Sequence, residues 1–367
     1  MKILHPLQCY FPSQAGGPCN SLYWLNSALN INNFSCEIIA TNYGLVDPID
    51  SKTFSSNHTV TFFNLIGKLY LKKCLQELKT AEVVQFSSLF FPPTLPILFV
   101  AIWKKKTIIL SPRGELYEAA ISQKAFKKRV WFFLIKMFQS KMNFHATNDF
   151  ELEIIQKKFP RAKSTVFIPN YIEMPKKLNL EIKRSFVFVG RINPIKNIHL
   201  LISTIAKVYE IYPDIKLYIV GSARLDYEIS YERNLEKQIK QLNLEKVVFF
   251  KGHLVGEVKN RIIASSKALI LPSKSGNFGN VVLEALSQGT PVIASKHTPW
   301  KILEEQGAGY WVDTNIQALS GKIVDLLNLE QPLYENMRAN SFQLCKSKYN
   351  IETNVRIWES YYQRISL

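Results

Sequence analysis

Short apolar runs alternate with helix-forming stretches along the chain, and the alternation falls into two series. The first series comprises residues 2–11, 36–41, 60–63, 83–86, 107–110, 143–146 and 165–168, and the second comprises residues 186–189, 216–220, 247–251, 268–271, 292–294 and 309–312. Short apolar runs joined by helical crossovers are typical of buried parallel strands. The pattern therefore predicts an α/β protein with parallel sheets.

A polar, poorly periodic segment at 173–177 separates the two series. A chain of 367 residues is too long for one ordinary core and suits two domains. We therefore expect an N-terminal domain over residues 1–172 and a C-terminal domain over residues 173–348. The last stretch, 349–367, has apolar residues at helical spacing, so we expect a C-terminal helix that packs back on the first domain.

The chain is strongly basic, with 46 Lys and Arg against 29 Asp and Glu, a net charge of +17. This balance favours a partner or substrate that carries negative charge, such as a phosphorylated molecule or an anionic membrane surface. Motifs of nucleic-acid binding do not accompany the charge, so no nucleic-acid partner is predicted. Five scattered cysteines without zinc-binding spacing fit a reducing cytoplasm, and Pro6 and Pro12 interrupt the N-terminus before a signal-peptide core develops.

Two stretches raise the question of membrane contact. Residues 86–103 are uncharged, but their three prolines favour a strand, a loop and a short buried helix over a membrane span. Residues 124–141 mix bulky apolar and basic side chains in a predicted helix. Such a helix either lies in an anionic membrane interface or covers the first sheet with a basic outer edge, and both descriptions can hold for different faces.

The run 275–295 predicts a glycine-bearing loop, a two-turn helix ended by Gly289 and Pro291, and a buried strand. Free amides at the start of such a helix, together with the helix dipole, favour a negatively charged ligand. The run is therefore interpreted as a phosphate-binding loop.

A second candidate segment, 190–197, follows a predicted strand and carries Arg191 and Lys196. Ligands of open α/β sheets bind at the carboxyl ends of the strands, where these two cations are expected. They can neutralise a diphosphate leaving group without a metal, or they can be solvated loop cations. The presence of the glycine-bearing loop in the same domain favours diphosphate binding.

The run 275–295 resembles the donor-site motif of family 4 glycosyltransferases, and further likeness extends from the Gly16-Gly17 loop to Trp311. The resemblance implies the GT-B fold, in which two Rossmann-like domains face a central cleft. It also implies a retaining, metal-independent transfer of a hexose from a UDP- or GDP-linked donor, with no other cofactor. The acceptor would be a hydroxyl of a saccharide or a polyprenyl-linked saccharide, in bacterial surface polysaccharide synthesis such as that of lipopolysaccharide or capsule.

The resemblance also assigns site residues. Arg191 and Lys196 would hold the pyrophosphate, and Glu284 would accept hydrogen bonds from the ribose hydroxyls. Other predicted donor-binding residues are Gly190, Gly276, Asn277, Phe278, Gly279, Asn280 and Val281. In the first domain, Arg113 and His145 are catalytic candidates, and Gly16 and Gly17 form a loop near phosphate and acceptor. Arg113 could equally be a salt-bridge partner of Glu115, and His145 could be a structural histidine.

Gly276 departs from the family pattern, because relatives keep a glutamate there that contacts the transferred sugar. The change indicates altered sugar specificity, a substitute acid from elsewhere or a silent member, and we favour altered specificity. Two alternative functions stay open: a nucleotide-sugar epimerase, and a non-catalytic nucleotide-sugar-binding partner subunit. Basic charge and resemblance together predict a cytoplasmic protein that is peripheral on the inner membrane.

Overall fold

The computed structural model describes residues 1–10, 17–42, 58–121 and 125–366. The chain divides into two compact units: Met1–Glu173 together with Ile351–Leu367, and Met174–Asn350. The first unit is thus built from both ends of the chain, and the second from its middle.

The first unit contains a seven-stranded parallel sheet. Its strands are β1 (Lys2–Pro6), β2 (Ser35–Thr41), β3 (His58–Phe63), β4 (Val83–Phe86), β5 (Thr107–Leu110), β6 (Asn143–Ala146) and β7 (Ser164–Phe167). Their order across the sheet is β3-β2-β1-β4-β5-β6-β7. Both faces of the sheet are covered, which is why its strands are apolar runs without alternation.

Helices pack on the two faces of this sheet. They are α1 (Gly17–Ala28), α2 (Lys68–Glu77), α3 (Thr94–Trp103), α4 (Glu118–Ile121), α5 (Ala125–Met137), α6 (Asp149–Lys158) and, from the end of the chain, α14 (Ile351–Ser366). One core lies under α2, α3, α5 and α6, and the other lies under α1 and α14. Trp358 and Tyr362 of α14 are fully buried, and the Tyr362 hydroxyl donates to Oε1 of Gln85 in β4.

The second unit contains a six-stranded parallel sheet. Its strands are β8 (Lys183–Val189), β9 (Lys216–Val220), β10 (Val248–Gly252), β11 (Ser266–Leu271), β12 (Val292–Ser295) and β13 (Gly309–Val312), in the order β10-β9-β8-β11-β12-β13. Its helices are α7 (Ile198–Tyr209), α8 (Asp226–Gln241), α9 (Gly256–Ser265), α10 (Asn280–Ser287), α11 (Ile302–Glu305), α12 (Ile316–Asn328) and α13 (Gln331–Lys348). Buried Phe186 and Phe188 of β8 pack in one core with Leu201 and Ile205 of α7.

Every apolar run named above contains a strand, so the two-sheet α/β prediction is confirmed. The first strand ends at Pro6, whereas the predicted run extends to residue 11. Residues 86–103 form the end of β4, a loop and the ten-residue helix α3, as predicted. Pro96 lies in the first turn of α3, where a missing N–H breaks no helical bond. Within the described residues, no helix has the length and apolar character needed to cross a membrane.

Candidate functional site

The second sheet has a point at which the strand order reverses. From β8 the chain proceeds to β9 and β10 on one side, and it then returns to β11 on the other side of β8. In open α/β sheets such a reversal leaves a crevice at the carboxyl ends of the two central strands. The loops after β8 and β11 contact each other there, because the Lys274 amide donates to the Ile195 carbonyl at 2.9 Å. The structure thus brings together the two segments singled out in the sequence.

Local hydrogen bonds hold the loop after β8. The Gly190 amide donates to the Val220 carbonyl at 2.9 Å. Asn193 then caps a single 3-10 turn, Pro194–Lys196, with its Oδ1 accepting from the Ile195 amide at 3.0 Å. A proline at the first helical position suits such a turn because its missing N–H would be unpaired there anyway. Lys196 therefore lies on a well-defined turn.

Arg191 extends from the same loop into solvent, with a side chain that is 65% exposed. Its Nη1 lies 3.8 Å from Oε1 of Glu228, a fully buried carboxylate. Burial alone would raise the pKa of Glu228, but hydrogen bonds from Asn193 and from the amides of Arg224 and Leu225 outweigh it and lower the pKa. Glu228 is therefore a fixed negative charge behind Arg191. The sequence analysis missed Glu228, whose signal was only an acidic residue in the first turn of α8.

Lys196 is an unusual cation because it is partly buried and lies beside a second positive charge. Desolvation, and then repulsion from Arg191, lower the pKa of Lys196 from 10.5 to about 8. Two neighbouring cations attract a multivalent anion. The pair is suited to a diphosphate.

The glycine-bearing loop is held in place by aromatic packing. Phe278 is buried, with its ring 4.9 Å from that of Trp300 and 5.9 Å from that of Tyr349. The Trp300 Nε1 donates to the Phe278 carbonyl. The Phe278 side chain thus anchors the loop, and its predicted role in donor binding stays a prediction.

Gly279 initiates α10 with φ of 80°, a left-handed conformation that favours glycine. A Cβ there would also come within 3.2 Å of Leu271. The amides of Asn280 and Val281 follow in the first turn of α10, at the positive end of the helix dipole. At Gly276, in contrast, an added Cβ would meet only the Thr298 methyl group, at 3.4 Å.

Glu284 lies one turn further along α10. Its Oε1 accepts from the Lys259 Nζ of α9 at 2.9 Å, whereas its Oε2 is buried and has no hydrogen-bond partner in the described part of the chain. An unpaired buried acceptor costs about 1–3 kcal/mol, so it is an expected contact point for a ligand hydroxyl. Sequence reasoning missed Lys259 because nothing in the pattern of α9 distinguishes this lysine from a surface residue.

In the first unit, His145 is 2% exposed and both of its ring nitrogens have partners. Ser111 Oγ lies 2.9 Å from Nδ1, and Nε2 lies 2.8 Å from the Ile168 carbonyl. Burial, and then the charge of Arg113, lower the pKa of His145 to about 3, so the ring is neutral. Because a carbonyl can only accept, Nε2 carries the proton. His145 connects neighbouring strand ends in this structure, and its catalytic role stays a prediction.

Arg113 has a left-handed backbone, with φ of 50°. Its Nη1 donates to Asn170 Oδ1 at 3.4 Å, and its Nε is buried without a partner. The alternative of an Arg113–Glu115 salt bridge is wrong, since no such ion pair forms in the described residues. Glu115 instead accepts from Ser88 Oγ at 2.6 Å and from the Leu89 amide. Arg113 therefore retains hydrogen-bonding capacity.

The predicted Gly16-Gly17 loop falls largely outside the described residues. Gly16 is not among them, and Gly17 is the first residue of α1. The proposed role of this loop stays a prediction.

Comparisons with known proteins concern both the fold of the whole chain and the family of its second half. The family model "Glycosyl transferases group 1" matches residues 171–344. The Anabaena protein HepE, solved in complex with UDP and glucose, superposes with a TM-score of 0.79 at 19% identity, covering 99% of this chain and 100% of HepE. This likeness identifies the fold as GT-B.

Curated relatives are glycosyltransferases as well. An uncharacterised glycosyltransferase of Methanocaldococcus jannaschii is 33% identical over 132 residues, 35% of this chain and 32% of the relative. The poly(ribitol-phosphate) alpha-N-acetylglucosaminyltransferase of Staphylococcus aureus is 27% identical over 173 residues, 46% of this chain and 33% of the relative. The chain spans about a third of the length of these relatives. The family match and the relatives together support a GT-B glycosyltransferase.

Proposed function

We propose that this chain is a retaining glycosyltransferase of family 4 that moves a hexose from a UDP- or GDP-linked donor to a hydroxyl of a saccharide or lipid-linked saccharide. The observation that carries the proposal is the contact between the loops after β8 and β11. This contact supports the placement of Arg191 and Lys196 in one crevice with the first turn of α10. Cations and the N-terminus of α10 at one strand edge favour a diphosphate, and the unpaired Oε2 of Glu284 favours an adjacent hydroxyl-bearing group.

In the proposed reaction the bond between the anomeric carbon of the sugar and the β-phosphate oxygen breaks. The acceptor oxygen attacks the same carbon from the face that the phosphate leaves, and its proton passes to the departing phosphate. Arg191 and Lys196 stabilise the negative charge that develops on the phosphate, so we propose that no metal ion is required. Arg113 of the first unit is proposed as a further catalytic residue.

A panel of ligands and donors tests this function. Calorimetry with UDP, GDP and inorganic pyrophosphate should show binding of at least one nucleoside diphosphate, with pyrophosphate weaker. Incubation with the matching nucleotide sugars alone should then give slow hydrolysis. Isomerised donor would instead identify an epimerase, and binding without hydrolysis or transfer would identify a non-catalytic subunit. Gly276→Glu, at a position where an added Cβ meets only the Thr298 methyl group, should change sugar preference while nucleotide binding persists.

The affinity for UDP should fall as pH rises above about 8. Lys196 titrates near that value in the free protein, and a bound diphosphate favours its charged form, so binding above this pH requires uptake of a proton. We expect Kd to weaken by up to roughly 25-fold between pH 7.5 and 9.5. Lys196→Arg is the matched control, because a guanidinium stays charged and should flatten the profile. An equally steep profile in that variant would exclude Lys196 as the titrating group.

We further propose that the first unit binds an anionic membrane surface through α5. Ile135 of this helix is buried in the core, so α5 covers the sheet. On its outer side Val130, Phe133 and Met137 are 50%, 63% and 57% exposed, at spacings of three and four residues that place them on one face. Exposed Arg129 and Lys136 accompany them. A helix with such a face suits the headgroup region of a bilayer.

Neighbouring α3 adds to this surface. The Phe99 ring of α3 lies 5.5 Å from that of Phe138, just after α5. Trp103, the last residue of α3, is 78% exposed, and the exposed Lys104 and Lys105 follow it. Tryptophan beside lysine is typical of side chains at the membrane interface. On this basis we propose a cytoplasmic protein that is peripheral on the inner membrane.

Reversing the charge of Arg129 and Lys136 should abolish sedimentation with vesicles rich in phosphatidylglycerol. Each basic residue near such a surface contributes about 1 kcal/mol, so the loss of two should weaken partitioning at least roughly thirtyfold, and the added repulsion of the reversed charges weakens it further. Lys237→Glu with Lys240→Glu, on the exposed side of α8, is the control with the same change in net charge. If both variants lose vesicle binding equally, the effect is one of net charge in general, and the proposed membrane-binding surface on α5 is contradicted.

The acceptor class is proposed from the same membrane surface and from the relatives. The Staphylococcus aureus relative is named for transfer to poly(ribitol-phosphate). A basic protein at a lipid surface can approach a phosphate-linked saccharide that is anchored there. We therefore propose a role in bacterial surface polysaccharide synthesis, such as that of lipopolysaccharide or capsule.

A further inference from the structure

Lys259 of α9 contacts the carboxylate of Glu284 on α10. The Lys259 Nζ lies 2.9 Å from Glu284 Oε1, and the two side chains are only 18% and 12% exposed. Charged groups withdrawn from water in this way interact more strongly than surface pairs do. The contact therefore restricts the rotation of the carboxylate.

This contact occupies only one of the two carboxylate oxygens. Oε1 is occupied by Lys259, and the buried Oε2 is left without a partner among the described residues. An ammonium group has three N–H donors, and Glu284 accounts for one hydrogen bond of Lys259. A donor and an acceptor thus lie side by side, which suits two adjacent hydroxyl groups, one donating to Oε2 and the other accepting from Nζ.

We propose that Lys259 is a positioning residue that holds Glu284 so that its Oε2 meets a hydroxyl of the ribose 2′,3′-diol, which makes the site selective for ribonucleotides. The inference rests on the proposed function, since it takes a nucleoside diphosphate as the ligand. It adds a residue of α9 to a site otherwise built from the loops after β8 and β11.

A bond that merely connects two helices would have different consequences. Its loss would lower stability and weaken every ligand by a similar factor. Arg261 provides the comparison, because it is another cation of α9 and its Nη2 pairs with Glu257 on the same helix at 2.7 Å. Both members of that pair are more than half exposed. Arg261→Met therefore removes a cation and an ion pair from α9 without touching Glu284.

The test compares UDP and GDP with their 2′,3′-dideoxy analogues and with inorganic pyrophosphate, by calorimetry. The variants are Lys259→Met, Lys259→Arg, Glu284→Gln and Arg261→Met. In the parent we expect the ribonucleotide to bind at least roughly tenfold more tightly than its dideoxy analogue. Lys259→Met should remove most of that preference and leave pyrophosphate binding unchanged. Lys259→Arg should retain it in part, and Arg261→Met should retain it fully.

Three results would overturn the proposed role of Lys259. A Lys259→Met protein that still prefers the ribonucleotide as the parent does would overturn the positioning role. Equal loss of ribonucleotide, dideoxy and pyrophosphate binding, with a lowered melting temperature, would also overturn it in favour of a structural bond. A parent that binds neither UDP nor GDP would overturn the proposed function, and the inference with it.

Discussion

Replacing Arg191 and Lys196 together with alanine is expected to reduce donor turnover by roughly a hundredfold to ten-thousandfold. Each charge-assisted bond to a phosphate contributes about 1.5–3 kcal/mol, so two contribute about 3–6 kcal/mol. The fold should persist, because Arg191 is mostly exposed and Lys196 is held in a position that disfavours its charge. Rates of donor hydrolysis or transfer, with circular dichroism of the same samples, measure both expectations.

The matched control for this double variant is Lys296→Ala with Lys301→Ala. Both lysines belong to the second unit, are 46% and 69% exposed, and pair with surface carboxylates. Their removal changes the net charge equally and should leave the rate within about twofold, since exposed pairs contribute little. If the Arg191/Lys196 variant turns over donor as fast as this control does, the assignment of the phosphate site is wrong.

Gly221→Ala is expected to prevent formation of the second sheet's central crevice. Gly221 follows β9 with φ of 150°, and a Cβ there would lie 1.8 Å from the Gly190 carbonyl oxygen. Neither atom can move without breaking the strand ends, because the Gly190 amide is bonded to Val220 and the Gly221 amide to Gly252. We expect a loss of about 4 kcal/mol or more of unfolding free energy, measured by chemical denaturation.

Gly252→Ala separates this clash from the general cost of replacing glycine. Gly252 also has a positive φ, 67°, but an added Cβ would meet nothing within 4 Å. Its replacement should lower the unfolding free energy by only about 1–2 kcal/mol, because a residue with a Cβ disfavours a left-handed backbone. Similar denaturation midpoints for Gly221→Ala and Gly252→Ala would show that the close approach of Gly221 to Gly190 does not limit stability.

Most of the fold was predictable because parallel strands covered on both faces must be apolar. Runs such as 83–86 and 268–271 are therefore visible without any partner. The adjacency of Arg191 and the glycine-bearing loop was predictable for a related reason, since both segments follow parallel strands and the carboxyl ends of such strands share one edge. Helix α14 was recognisable because Trp358 and Tyr362 lie on one face.

The remaining parts of the site depend on contacts between residues distant in sequence. Glu228 supports Arg191 from α8, and Lys259 reaches Glu284 from α9. Charged residues on amphipathic helices are usually solvated, so periodicity carries no sign of either contact. The buried position of the Phe278 side chain likewise depends on Trp300, which follows it by 22 residues. Such roles become visible only when helices and loops have been placed on the sheet.

The return of α14 to the first unit has a consequence for synthesis on the ribosome. Trp358, Tyr361 and Tyr362 belong to the same core as Ile3, Leu22 and Ile38, yet they are translated after the whole second unit. Domains generally fold as units while the chain emerges, in order from the N-terminus. That order does not hold for the first unit: the face of its sheet that α14 shares with α1 stays partly uncovered until the second unit has emerged and can already have folded.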